Sequence, residues 1–184
     1  MPGVPETGVL PDNDRYTILL FFTKGMFDTM AITDLGHIAL ACADLDASLD
    51  FYAKLDITEA FRLKRDDGST ILVYLHLGGD RFLELFPGGP AADERATAGP
   101  STFRHVCLVS DDIAGDVARL REQGVTIDRD LSIGLDANTQ AWITDPDGNA
   151  IELMQLHAIS PQKAVAAGET PVIPSKDTLA ELGA

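Results

Sequence analysis

Two histidines and two glutamates of this chain recur at one spacing, since 105 minus 37 and 152 minus 84 both give 68. His37 sits in "GHIALACADLDASLDFY" and His105 in "RHVCLVSDDIAGDVARL"; laid over each other at that offset, the stretches also match Leu40 with Leu108 and Asp44 with Asp112. Glu84, in "RFLELFP", falls on Glu152, in "NAIELMQ". A lone imidazole in an apolar strand is ordinarily a core residue with a local hydrogen bond. Two His and two Glu at a single offset instead point to a duplicated module carrying one of each. Two neutral imidazoles and two carboxylates suit Zn(II), Ni(II), Co(II), Mn(II) or Fe(II), with positions left for water or substrate. Carboxylates in apolar strands, with no Lys or Arg at the neighbouring inward positions, are costly unless a cation offsets them.

The elements that must position these groups follow from periodicity. Residues 35 to 42 alternate as a strand, and Asp44 starts a helix to about Leu55 with Leu45, Leu49 and Tyr52 at helical spacing. Three strands follow near 58 to 65, 70 to 77 and 81 to 86, divided by the turn signals "DDGS" and "GGD". The second copy repeats the plan: strand 103 to 110, helix 112 to 123 ending at Gly124, then strands near 125 to 132, 139 to 144 and 149 to 156, the last hairpin marked by "DPDG". Each module therefore reads as βαβββ, an α+β plan. Module one spans 33–87 and module two 101–157 within a domain of 31–159. The Gly/Pro/Ala-rich segment 88–100 reads as a linker. Residues 160–184 read as a tail with a short helical stretch followed by a Pro-containing end. Residues 1–30, rich in Pro, Gly and acidic side chains, read as an extension, either an added start or a strand at Thr17–Thr23.

Alternate strand residues share a face. His37, Ala39 and Ala41 point one way, and Ile38, Leu40 and Cys42 the other, where the amphipathic helix packs. His105 shares its face with Cys107 and Val109, and Glu152 with Ala150 and Met154. Small neighbours around an imidazole leave room for a cavity. Tyr74 and His76 face Glu84 only if the "GGD" loop has three residues; a two-residue loop, the expected one, turns them away. Cys107 is expected as pocket wall, Trp142 as packing, His157 on the surface, and Asp111 and Asp112 as a helix start.

Composition excludes some classes. With 14 basic against 29 acidic residues the net charge is −15, which repels nucleic acid and anionic membranes. Two cysteines, Cys42 and Cys107, are too few for a disulfide framework and form no metal-type pair, so a reducing cytoplasm is expected. "TILLFF" is far too short to span a membrane.

With "GHIAL", "DLDASLDFY", "FLELF", "RHVCLV" and "DPDGNAIEL" in place, residues 33–157 resemble the vicinal oxygen chelate superfamily, which includes glyoxalase I, methylmalonyl-CoA epimerase, extradiol dioxygenases and bleomycin-resistance proteins. The resemblance implies two tandem βαβββ modules whose curled mixed sheets surround a metal, with helices on the outer face. It implies His37, Glu84, His105 and Glu152 as ligands, in an order similar to glyoxalase I. That order implies a lyase or isomerase acting on a small substrate with vicinal oxygens through an enediolate, with Glu152 as base and Glu84 as second proton carrier. Ala41 stands where glyoxalase I has an arginine for a glutathione carboxylate, and "LFPGG" lacks its asparagine. Methylmalonyl-CoA epimerase usually has Gln at the place of Glu84. The alternatives are an extradiol-type dioxygenase using His37, His105 and Glu152, and a non-catalytic small-molecule-binding resistance protein. Such modules pair within one chain or across a two-fold dimer, and a homodimer is expected.

Overall fold

The alternating run at the first histidine forms β1 (His37–Cys42) in the computed structural model, which describes residues 34–97 and 102–183. Residues 1–30 and their possible strand lie outside the described residues. Asp44 caps α1 (Leu45–Lys54) by accepting from the Ala47 N–H at 3.1 Å, satisfying one of the donors that a helix start leaves unpaired. Strands β2 (Glu59–Lys64), β3 (Thr70–Gly78) and β4 (Arg81–Pro87) complete module one. Module two repeats the order with β5 (Val106–Val109), α3 (Ile113–Glu122), β6 (Arg129–Ile133), β7 (Thr139–Thr144) and β8 (Ala150–Gln155). Asp112 caps α3 through the Gly115 N–H, and Gly124, at φ 78°, ends it in the left-handed conformation that glycine tolerates best.

The sheets have equivalent orders, β1-β4-β3-β2 and β5-β8-β7-β6. In each the first strand runs parallel to the last and the other pairs are antiparallel. Both sheets are open rather than closed. Val73, Leu75, Leu83 and Leu85 of the first sheet share one core with Ala141, Ile143, Ile151 and Leu153 of the second. Tyr52 of α1 and Ile113, Val117 and Leu120 of α3 fill the same core. Each large aliphatic side chain buried there contributes about 1.5–3 kcal/mol, so this apolar seam dominates the adhesion between modules. Because side chains alternate, the His- and Glu-bearing face of each sheet turns away from that core.

A polar clamp joins the modules beside the seam. The DPDG turn buries Asp145 and Asp147 against the start of α1. Asp147 accepts from the Ala43 N–H at 2.8 Å and the Ser48 hydroxyl at 3.0 Å, while the Tyr52 hydroxyl donates to Asp145 at 2.9 Å. The segment expected as a bare linker contains α2 (Ala92–Thr97), whose Arg95 guanidinium reaches Asp147 at 3.2 Å. A short helix forms there because "ADERA" places acids in its first turn and arginine in its last, matching the helix dipole. The tail has two short helices, α4 (Pro161–Ala166) and α5 (Lys176–Glu181), capped by Ser160 and Ser175, with Leu179 buried. Among the described residues, no helix is long and apolar enough to cross a membrane.

Candidate metal centre

Strand register builds two matching rows across the open faces. In the first sheet Ala39 pairs with Glu84, Glu84 with Tyr74, and Tyr74 with Phe61. In the second Cys107 pairs with Glu152, Glu152 with Trp142, and Trp142 with Arg129. Every member of the second row lies 68 positions after its counterpart, since 107 minus 39, 152 minus 84, 142 minus 74 and 129 minus 61 all give 68. Duplication has thus preserved both the sequence spacing and the pairing.

His37, two residues before Ala39 and therefore on its face, places Nε2 3.5 Å from Glu84 Oε2. His105, just before β5, places Nε2 3.2 Å from Glu152 Oε2. The carboxylates are the covered partners: the Glu84 and Glu152 side chains are 7% and 13% exposed, against 54% and 35% for His37 and His105. The structure therefore joins the four expected ligands as two His–Glu pairs, one per sheet. Among the described residues, no three His, Cys, Asp or Glu side chains gather as one metal-holding group. The open faces account for this, because each sheet turns its pair outward from the shared core.

The donor set fits a divalent cation. Among the described residues neither glutamate forms an ion pair with Lys or Arg, and each has an imidazole nitrogen as its nearby partner. A nearly buried carboxylate in such surroundings gains most from a positive centre, and imidazole nitrogen with carboxylate oxygen is a donor combination common to the first-row metals named above.

Neighbouring groups refine this picture. Tyr74 faces Glu84, against expectation, because a register shift between His76 and Gly78 supplies the extra loop residue. Its side-chain hydrogen bond with Glu84 pushes the phenol above its ordinary value. Phe61 stacks on Tyr74 at 4.4 Å between ring centroids, and Phe82 meets Tyr74 edge-on at 5.8 Å. His76 shares this face but directs Nε2 to the Gly79 carbonyl at 2.9 Å.

Trp142 is half-buried on the face of Glu152, edge-on to His105 at 4.8 Å, with the Arg129 guanidinium 5.4 Å from its ring centroid. Partial burial of the Cys107 thiol, and next the Glu152 charge, push it up to about 12, so it is a neutral wall group rather than a thiolate. His157 is half-buried rather than on the surface, with Nε2 2.8 Å from the Thr139 hydroxyl and its backbone N–H donating to Asn138 Oδ1 at 3.0 Å. Phe61 and Arg129 were not singled out in the sequence, although the offset that pairs the ligands also pairs them.

Residues 34–153 match the model of the Glyoxalase/Bleomycin resistance protein/Dioxygenase superfamily. The chain belongs to this superfamily. An uncharacterized protein of Bacillus subtilis (strain 168), YwkD, is 26% identical over 129 residues, covering 68% of this chain and 99% of that protein. The glyoxalase family protein from Enterococcus faecalis has a similar structure, with 25% identity, a TM-score of 0.57 and coverage of 68% of this chain and 99% of that one. TnmS3, an antibiotic binding protein from Streptomyces sp. CB03234, is 28% identical with a TM-score of 0.52, covering 70% of this chain and 99% of its own. This glyoxalase-superfamily fold is thus shared by an antibiotic binding protein and by proteins of the glyoxalase family.

Proposed function

We propose that this superfamily member is a divalent-metal-dependent lyase or isomerase acting on a small substrate with vicinal oxygens. Its centre is assembled from two copies, with His37 and Glu84 of one joining His105 and Glu152 of the other. The observation that carries this reading is the pair of His–Glu contacts at equivalent register positions on two outward faces. A two-fold pairing sets module one of each copy against module two of the other, so both sites are completed by one isologous interface. It also covers Phe61, Leu63 and Val109, large apolar side chains that stand exposed.

When bound, the cation supplies Lewis acidity toward two adjacent substrate oxygens and acidifies the neighbouring C–H. Glu152 is the base because it is the more open carboxylate. Glu84 is the more covered carboxylate and lies opposite Tyr74 in the sheet, which suits it to hold the metal and carry the second proton. Ala41 offers no cation at the first strand for a glutathione carboxylate, so the reading rests on the vicinal oxygens and not on that cosubstrate.

One observation favours a second reading, binding without turnover: the 28% identity to an antibiotic binding protein. Elemental analysis of protein purified without chelator separates the two. The enzyme reading expects stoichiometric divalent metal that is removed by chelation and restored on reloading. A folded protein that takes up no divalent metal would sink it.

A further inference from the structure

The two cross-sheet rows agree in their carboxylates and in the aromatic ring beside each, Tyr74 or Trp142, and differ in what lies on that ring. In module one it is Phe61, stacked at 4.4 Å with 21° between planes; in module two it is the Arg129 guanidinium, 5.4 Å from the indole centroid. Duplication began with equivalent positions, and the strand pairing still holds them equivalent, so the divergence at 61 and 129 is chemical rather than architectural.

In a chain of net charge −15, Arg62, Arg95, Arg119 and Arg121 each meet a carboxylate. Like Arg65, which turns to Ser69 and the Thr70 carbonyl, Arg129 has no carboxylate partner among the described residues. Its strand neighbours are engaged elsewhere, Asp130 with Arg121 and Asp128 with the Thr144 hydroxyl. A guanidinium held over an indole face keeps its charge in place and its N–H donors free for a planar anion.

Resting on the metal reading above, we infer that the substrate is a small planar organic anion. Its vicinal oxygens lie at the His–Glu centre, its carboxylate is taken by Arg129 on Trp142, and its flat apolar part is received by the Phe61–Tyr74 stack. Arg129 and Phe61 are the specificity-determining residues, one selecting charge and the other flatness. Phe82, edge-on to both Tyr74 and Phe61, backs the apolar side. No comparable cation lies in the Glu84 row, so the charge preference belongs to module two alone.

The test is calorimetric titration of the full-length, zinc-loaded protein with two matched probes, protocatechuate and catechol, which share ring and vicinal oxygens and differ in the carboxylate. The wild type is expected to prefer protocatechuate by about 10- to 100-fold, the size of one charge-assisted hydrogen-bonded contact. Arg129→Gln should abolish that preference while leaving zinc affinity and catechol binding in place, and Arg129→Lys should restore part of it. Phe61→Ala should weaken both probes alike. A preference that survives in Arg129→Gln, or a wild type that does not discriminate or binds neither probe, overturns the inference. Zinc uptake is measured first and separately, so failure of the metal reading is recognised by itself. In that event the same variants, metal-free, are compared on benzoate and benzyl alcohol, where loss of a benzoate preference in Arg129→Gln still supports the anion site and its absence in wild type still overturns it.

Discussion

Removing the hydroxyl of Tyr52 should measurably weaken the polar clamp that joins the modules beside their apolar seam. Tyr52 is 2% exposed, and its hydroxyl donates at 2.9 Å to Oδ2 of Asp145, itself 5% exposed. The same oxygen accepts from Asn149 Nδ2 at 2.8 Å, while Oδ1 accepts from the backbone N–H groups of Asp147 and Asn149. Tyr52→Phe keeps the ring, so the apolar packing survives and the loss is the hydrogen bond. A neutral bond is worth about 1 kcal/mol net, but with a buried carboxylate as acceptor the expected cost is about 1.5–3 kcal/mol. For a chain of this size that lowers Tm by roughly 3–12 °C, at about 2–4 °C per kcal/mol. Urea unfolding at neutral pH should show a lower midpoint with an unchanged slope. In an Asp145→Asn background the cost of Tyr52→Phe should shrink, giving a coupling energy of about 1 kcal/mol or more. A loss below about 0.5 kcal/mol, or one indifferent to Asp145, would refute the claim that this contact clamps the modules.

Alkaline stability follows from the same cluster. Burial of the Cys42 thiol, eased by Ser48 and reinforced by Asp147 and Asp145, pushes its pKa up from 9.0 to about 11. Because the folded value is raised, the stabilisation is full below the unfolded value and is lost as pH climbs through the window from 9.0 to about 11. Urea midpoints should fall across that window, and Cys42→Ala should flatten the fall; an identical slope in the variant would contradict the assignment. Catalysis supplies another expectation: Glu152→Gln should lose only part of its metal occupancy but slow the chemical step by about 10²–10⁴-fold, as for a lost general base. Substrate proton exchange in deuterated water should vanish in that variant even at saturating metal. Persistent exchange would pass the base role to Glu84.

The sequence exposed the fold through its repeat. Once His37 and His105 were aligned, each strand and helix of one module predicted its counterpart, and Asp44 and Asp112 marked both helix starts at the residues that cap them. That His37, Ala39 and Ala41 share one face and Ile38, Leu40 and Cys42 the other, against the helix and core, followed from alternation and holds, while the cavity expected on the His face is an open face in the single chain. The side of Tyr74 was not legible, because a single added loop residue after His76 reverses a whole strand, and no residue type in "LGGD" forces that addition. The linker helix was hidden by the Gly and Pro around it, and its anchor, Arg95 on Asp147, joins residues 52 positions apart in a contact that no local pattern announces. The place of Trp142 was hidden for a similar reason: an indole packs in most settings, and only its register with Glu152 and Arg129 sets it beside the candidate centre. That register was available in principle, since the offset matches Tyr74 with Trp142 and Phe61 with Arg129.

Central to the account is that each metal is held by two copies, and mixing two defective variants tests it most directly. His37→Ala breaks the module-one half of every site and His105→Ala the module-two half, so each variant alone should bind divalent metal weakly. In a mixed dimer one site carries both losses, while the other receives His37 from the second variant and His105 from the first and is whole. Co-refolding the two variants and titrating metal should therefore recover wild-type affinity in about half of the sites of each heterodimer, as expected for an isologous interface. Heterodimers, verified as such, that recover no tight site would contradict the shared centre.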